Sequence, residues 1–193
     1  QASEMPGTPR PEPPLRGWFA TFADALEAAA AQHCDRTAIV DRTTADVVRL
    51  SFGEWHRRSD SLAAQIADRG VGPGDVVAIL MPSSADFAVA YGAISLAGGV
   101  VTAINPRLGR REMAAILDRA DPALILIDRA SFDDCPMPAR AVIERSELLT
   151  DGPPLGERRP YLTEADPAVI VWTSGTTGTP KGAWFDHRNL RAA

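Results

Sequence analysis

An α/β fold with a mainly parallel sheet flanked by helices is what this sequence predicts, and three observations predict it. Apolar runs such as "VVAILMP", "VVTAIN" and "PALILID" are continuous and do not alternate, as in strands buried on both faces. Segments with helical spacing of apolar residues lie between them, the order that parallel pairing requires for its crossovers. The joints carry short clusters of Gly, Pro and Asp, "VGPGD" among them, which mark turns.

The elements follow in order. Residues 1–16 are proline-rich and are expected to form a disordered lead-in before one domain over 17–193. "TFADALEAAAAQ" (Thr21 to Gln32) has helical spacing behind a Thr suited to capping. "TAIVD" and "VVRLSF" flank the polar "RTTA" and read as a hairpin. Ser51 and Glu54 form an S-x-x-E capping box for the next helix, which Gly70 terminates. Strand, helix, strand, helix and strand then follow as "VVAILMP", "SADFAVAYGAISLAG", "VVTAIN", "RREMAAILDRA" and "PALILID", with "ARAVIE" as a further short strand. The stretch from Arg145 to Pro167 is rich in Pro, Gly and charge and reads as a surface connection; "AVIVW" (Ala168 to Trp172) resumes the sheet.

Composition narrows the function. The 193 residues suffice for a sizeable core. A net charge of -5 with scattered basic residues argues against a nucleic-acid partner. Cys34 and Cys135 lie far apart and outside any CxxC spacing, so neither a disulfide framework nor a zinc site is indicated, and a reducing cytoplasm is expected. No apolar run is long enough for a transmembrane segment, and the start lacks signal-peptide regions. Oligomeric state is left open, a homodimer included.

The chemistry concentrates in "VWTSGTTGTPKGAWFDH", Val171 to His187. It places five hydroxyl side chains, three glycines and the chain's one lysine directly after a buried strand; the other nineteen basic residues are Arg. Glycines let backbone N–H groups approach an anion, hydroxyls donate without deprotonation, and Lys adds a compact charge on a flexible stem, a set suited to polyphosphate. A loop leaving the carboxyl end of a buried strand is where open α/β sheets bind ligands. It is not a Walker A loop, because Pro180 stands where that pattern needs Gly and Gly182 where it needs Ser or Thr. A flexible linker shares the composition, but linkers seldom follow a buried strand with a Pro-Lys-Gly ending.

"TSGTTGTPKG" (Thr173 to Gly182), followed by "HRNL", resembles the phosphate loop of the adenylate-forming superfamily, which includes acyl-CoA synthetases, nonribosomal peptide adenylation domains and luciferases. "RGVGPGDVVAILMPSSADFAVAYGAISLAGGV" and "INPRLGRREMAAIL" resemble the family's earlier segments, and Asn105, Pro106, Arg107 and Leu108 favour the CoA ligase branch over peptide synthetase domains. The resemblance implies that a carboxylate attacks the α-phosphorus of ATP to give an acyl-adenylate and pyrophosphate, after which a thiol, usually of CoA, takes the acyl group. It implies that Thr173, Ser174, Gly175, Thr176, Thr177 and Gly178 bind the nucleotide phosphates. Lys181 is then the catalytic cation on the leaving pyrophosphate, and Thr173 or Thr176 reaches Mg²⁺.

The resemblance also implies that the adenine and acyl pockets and a second catalytic lysine follow the phosphate loop. The chain is therefore expected to be the amino-terminal part of an ATP-dependent acyl-CoA synthetase for a small-molecule carboxylic acid, inactive by itself. Two alternatives stand: an acyl-AMP ligase or adenylation protein that loads a carrier protein, and a truncated, non-catalytic binding module. Other residues read as structural. His187 opens the helix after the loop as a capping or packing residue, or as a base near the phosphates. His33 and His56 are surface or boundary residues, Trp172 packs on the sheet, "RLGRR" is a solvated face, and Asp133 and Asp134 belong to a loop.

Overall fold

The computed structural model describes residues 19–43, 46–132, 135, 141–173 and 180–192. The lead-in over 1–16, Asp133 and Asp134, and the span from Ser174 to Thr179 lie outside them. Helix α1 (Phe22–Gln32) starts at Thr21, whose hydroxyl accepts the N–H of Asp24 while the Asp24 carboxylate accepts the Thr21 N–H. Strands β1 (Thr37–Asp41) and β2 (Val48–Ser51) pair antiparallel as the expected hairpin. Ser51 and Glu54 close a reciprocal box at the head of α2 (Phe52–Asp68), and Gly70 follows its end at φ 87°, a left-handed conformation that glycine adopts without strain.

The sheet itself is built from β3 (Val76–Leu80), β4 (Val100–Ala103), β5 (Leu124–Ile127), β6 (Ala141–Glu144), β7 (Pro167–Thr173) and β8 (Lys181–Asp186), in the order β6-β5-β3-β4-β7-β8. The first five in that order are parallel, and β8 returns antiparallel to β7 at the edge. Helices α3 (Ala85–Leu96) and α4 (Arg110–Ala120) make the crossovers. Alternate residues of β3 serve opposite faces: Val77 and Ile79 join the core formed with α2 and α3, whereas Ala78 and Leu80 join the one formed with α4. Burial on both faces is why this strand reads as a continuous apolar run, each large side chain contributing about 1.5–3 kcal/mol.

Helix α3 lies so close to α2 that a Cβ on Gly92 would meet Ser59 Oγ at 2.5 Å. Ser59 uses that hydroxyl on the Val89 carbonyl, at 3.1 Å. The connection from Arg145 onward runs over α2 and is tied to it: Ser61 donates to the Gly152 carbonyl at 2.8 Å, Gln65 to that of Glu147 at 2.9 Å, and Leu155 is buried. One element departs from expectation. The sequence reading passed from the loop directly to a helix, but Lys181–Asp186 first forms β8, and helix α5 (His187–Ala192) follows.

Candidate functional site

Strands β7 and β8 form a hairpin stem that brings Thr173 opposite Lys181, so the two ends of the glycine and hydroxyl loop meet. Of the residues expected to bind phosphate, Thr173 and Lys181 are described and adjacent, and Ser174, Gly175, Thr176, Thr177 and Gly178 lie outside the described residues. Thr173 Oγ1 approaches the Lys181 carbonyl at 3.5 Å, the outer limit of a hydrogen bond. Lys181 is exposed, and among the described residues its ammonium has no ion-pair partner.

The stem is held from beneath. Trp172 lies half-buried on the sheet, as expected, and its indole N–H donates to Thr102 Oγ1 at 2.7 Å; Thr102, fully buried in β4, donates to the Ile170 carbonyl at 3.3 Å. Gly182 crosses above Trp172, where an added Cβ would stand 3.0 Å from both the indole and Ile170 Cγ2. A substituent there forces the neighbours apart. From the helix layer, Arg119 donates to the Pro180 carbonyl at 2.6 Å. Sequence reasoning missed Thr102 and Arg119; a lone hydroxyl in "VVTAIN" was a usable signal for the first, and nothing distinguished the second.

His187 has a structural place. It is 5% exposed, its Nδ1 accepts the Phe22 N–H at 3.3 Å, and its own N–H reaches the Asp166 carbonyl at 3.3 Å. Burial pushes its pKa down, outweighing the carboxylates of Asp166, Asp24 and Asp186. Asp186 caps α5 by accepting the Asn189 N–H at 2.8 Å. His33 ends α1 and His56 lies on α2, both partly exposed.

A second concave feature lies where the crossovers from β3 and β4 diverge to opposite faces. A cleft of about 480 Å³ opens there between the Met81–Ser83 turn and the segment Ala103–Arg107. Arg107, Arg110 and Arg111 are exposed, in keeping with a solvated face. Among the described residues, no three His, Cys, Asp or Glu side chains gather as metal ligands, and no helix is long and apolar enough to cross a membrane. Of the two hydroxyls expected to reach Mg²⁺, Thr173 is described and would offer an oxygen donor of the kind that cation takes, and Thr176 lies outside the described residues.

Comparison with known proteins agrees with this fold. A probable non-canonical nonribosomal peptide synthetase of Salinispora arenicola is 32% identical over 93% of this chain and 2% of its own length. Chondramide synthase of Chondromyces crocatus is 31% identical over 86% of the chain and 4% of its length, and a 2-methylpropanoate–CoA ligase of Humulus lupulus 28% identical over 86% and 34%. The chain thus spans at most about a third of these relatives. Among solved structures, the N-terminal subdomain of Klebsiella oxytoca NpsA, in complex with 3-hydroxybenzoyl-AMSN, matches with a TM-score of 0.76 at 24% identity, over 88% of this chain and 41% of that one. An artificially fused adenylation–PCP di-domain from the same organism matches with a TM-score of 0.78 at 24% identity, over 90% and 34%. The glycine and hydroxyl loop on its hairpin stem and the parallel sheet behind it lie within residues 26–193, which match the family model for AMP-binding enzymes, and the chain belongs to that family.

Proposed function

We propose that this chain carries the phosphate-binding part of an adenylation domain that activates a carboxylic acid with ATP and passes the acyl group to the phosphopantetheine thiol of a carrier protein. The observation that carries the reading is the β7–β8 stem, which sets Thr173 and Lys181, whose ammonium has no ion-pair partner among the described residues, at the two ends of the loop within the family match. As the carboxylate attacks the α-phosphorus, negative charge grows on the departing pyrophosphate. Donors and cations already in position stabilise that charge more than reorganising water does. Lys181 supplies the cation, and Ser174, Thr176, Thr177 and the glycine N–H groups supply the donors. Mg²⁺, when bound, adds charge neutralisation at the phosphates.

The choice of acceptor rests on the relatives. Nonribosomal peptide synthetases and an adenylation–PCP fusion favour a carrier protein over the free CoA expected from Asn105 to Leu108. A CoA acceptor is the second reading, supported by that segment and by likeness to a 2-methylpropanoate–CoA ligase. The deciding experiment uses the full-length protein. Acid-dependent exchange of labelled pyrophosphate into ATP is measured first, followed by acyl transfer to a phosphopantetheinylated carrier protein and to CoA in parallel. Exchange with faster carrier loading is expected; exchange with no carrier loading transfers the assignment to CoA, and no exchange with any acid ends the adenylation reading.

A further inference from the structure

We propose that Arg119 is a positioning residue for Lys181, acting on the loop's exit from the helix layer. The inference rests on the phosphate role given to Lys181 above. Arg119 lies in the last turn of α4, and its guanidinium donates to the Pro180 carbonyl at 2.6 Å. That oxygen belongs to the peptide plane joining Pro180 to Lys181, so holding it fixes the orientation in which the Lys181 backbone leaves the loop. Pro180 is buried, and its ring limits the remaining freedom of φ.

The other restraints on the stem come from the sheet. Thr173 pairs with Lys181, and Gly182 passes over Trp172, which Thr102 holds. These act through β7 and leave β8 as an edge strand, exposed along most of its length. Arg119 adds a tether from a different layer, at the residue before the lysine. A short bond from a charged donor to a carbonyl is stronger than a neutral one, and its length sets where the lysine stem begins. A group that must meet charge developing on a leaving phosphate loses rate steeply when displaced, about a hundredfold for 1 Å in tight sites.

Two measurements test this. In the present chain Lys181 is the one lysine, so reductive ¹³C-methylation gives one lysine resonance beside that of the amino terminus. Arg119→Met is expected to shift or broaden that resonance without altering the far-ultraviolet circular dichroism; an unchanged resonance overturns the proposal. In the full-length protein, Arg119→Met is expected to lower the kcat of ATP–pyrophosphate exchange about tenfold with the KM for the acid unchanged, and Arg119→Lys to restore most of it. In a Lys181→Ala background the same change is expected to add less than about twofold, because coupled residues are not additive. Independent, additive losses overturn the proposal. Absence of exchange in the unmodified protein defeats the adenylation reading instead, and the lysine resonance then decides the role of Arg119.

Discussion

The imidazole of His187 accepts a hydrogen bond from the Phe22 N–H at 3.3 Å, joining the first residue of α5 to the first residue of α1 across 165 positions. The acceptor is the unprotonated Nδ1, so the joint exists only in the neutral imidazole. Burial lowers the folded-state pKa below the ordinary 6.5. The unfolded chain therefore takes up the proton first as pH falls. The contribution of His187 to stability is complete above about pH 6.5 and is lost progressively as pH falls through the folded-state value. Urea midpoints between pH 7.5 and 5 are expected to fall in the wild type and to fall less in His187→Asn, whose amide oxygen accepts without titrating. Equal slopes in the two proteins contradict this.

Asp41 is a second long-range joint. Its carboxylate, 6% exposed, accepts the Ala85 N–H at 2.8 Å and both the N–H and hydroxyl of Thr43, at 2.8 and 2.6 Å. It thereby ties the β1–β2 hairpin to the positive end of α3. The Thr43 hydroxyl first, and then the two N–H groups, hold its carboxyl below the usual 3.8. Asp41→Ala leaves these donors unpaired and is expected to cost about 2–3 kcal/mol in urea unfolding, with Asp41→Asn costing less.

Thr102 fixes Trp172 through one hydroxyl that both accepts and donates. Thr102→Val keeps the shape and removes the acceptor, leaving the indole N–H without its partner, at a cost of about 1–3 kcal/mol. Thr102→Ser is expected to retain most of the stability. A Val variant as stable as the Ser variant would show that the indole finds another acceptor.

Much of this architecture was legible because local signals and global fold agree. Ser51 and Glu54 announce a helix by chemistry that acts within three residues, and β3 announces double-sided burial by having no polar position. Strand β8 was not legible. "KGAWFD" includes a glycine, ends in charge and places Trp184 57% exposed, so no alternation marks it; it is a strand because β7 offers an open edge. Thr173 and Lys181 stand out in the sequence because their loop concentrates one kind of chemistry, and the structure pairs them across the hairpin stem. Arg119, one of nineteen arginines, has a distinctive partner only 61 residues away, at Pro180.

Gly182 leaves little room for a side chain. An alanine Cβ would lie 3.0 Å from Trp172 and from Ile170 Cγ2, so one of these side chains must give by a few tenths of an ångström, which strains the indole's bond to Thr102. Gly182→Ala in the full-length protein is expected to lower ATP–pyrophosphate exchange by about tenfold while shifting Trp fluorescence. Unchanged exchange and fluorescence would mean that the stem adjusts freely.

Lys181 itself separates charge from scaffolding. If its ammonium stabilises pyrophosphate only as charge develops, Lys181→Ala in the full-length protein lowers kcat for adenylation by roughly one to three orders of magnitude and leaves the KM for the carboxylic acid nearly unchanged. Arginine is expected to rescue partly, since its flat fork must fit where a point charge on a thin stem stood, between buried Pro180 and Gly182 against Trp172. Acyl transfer begun from preformed acyl-adenylate involves no pyrophosphate, so that half-reaction is expected to keep its rate. Single-turnover measurement of the two half-reactions checks this directly. Equal losses in both would assign Lys181 to the support of the hairpin stem, and the role of leaving-group cation would have to pass to another residue.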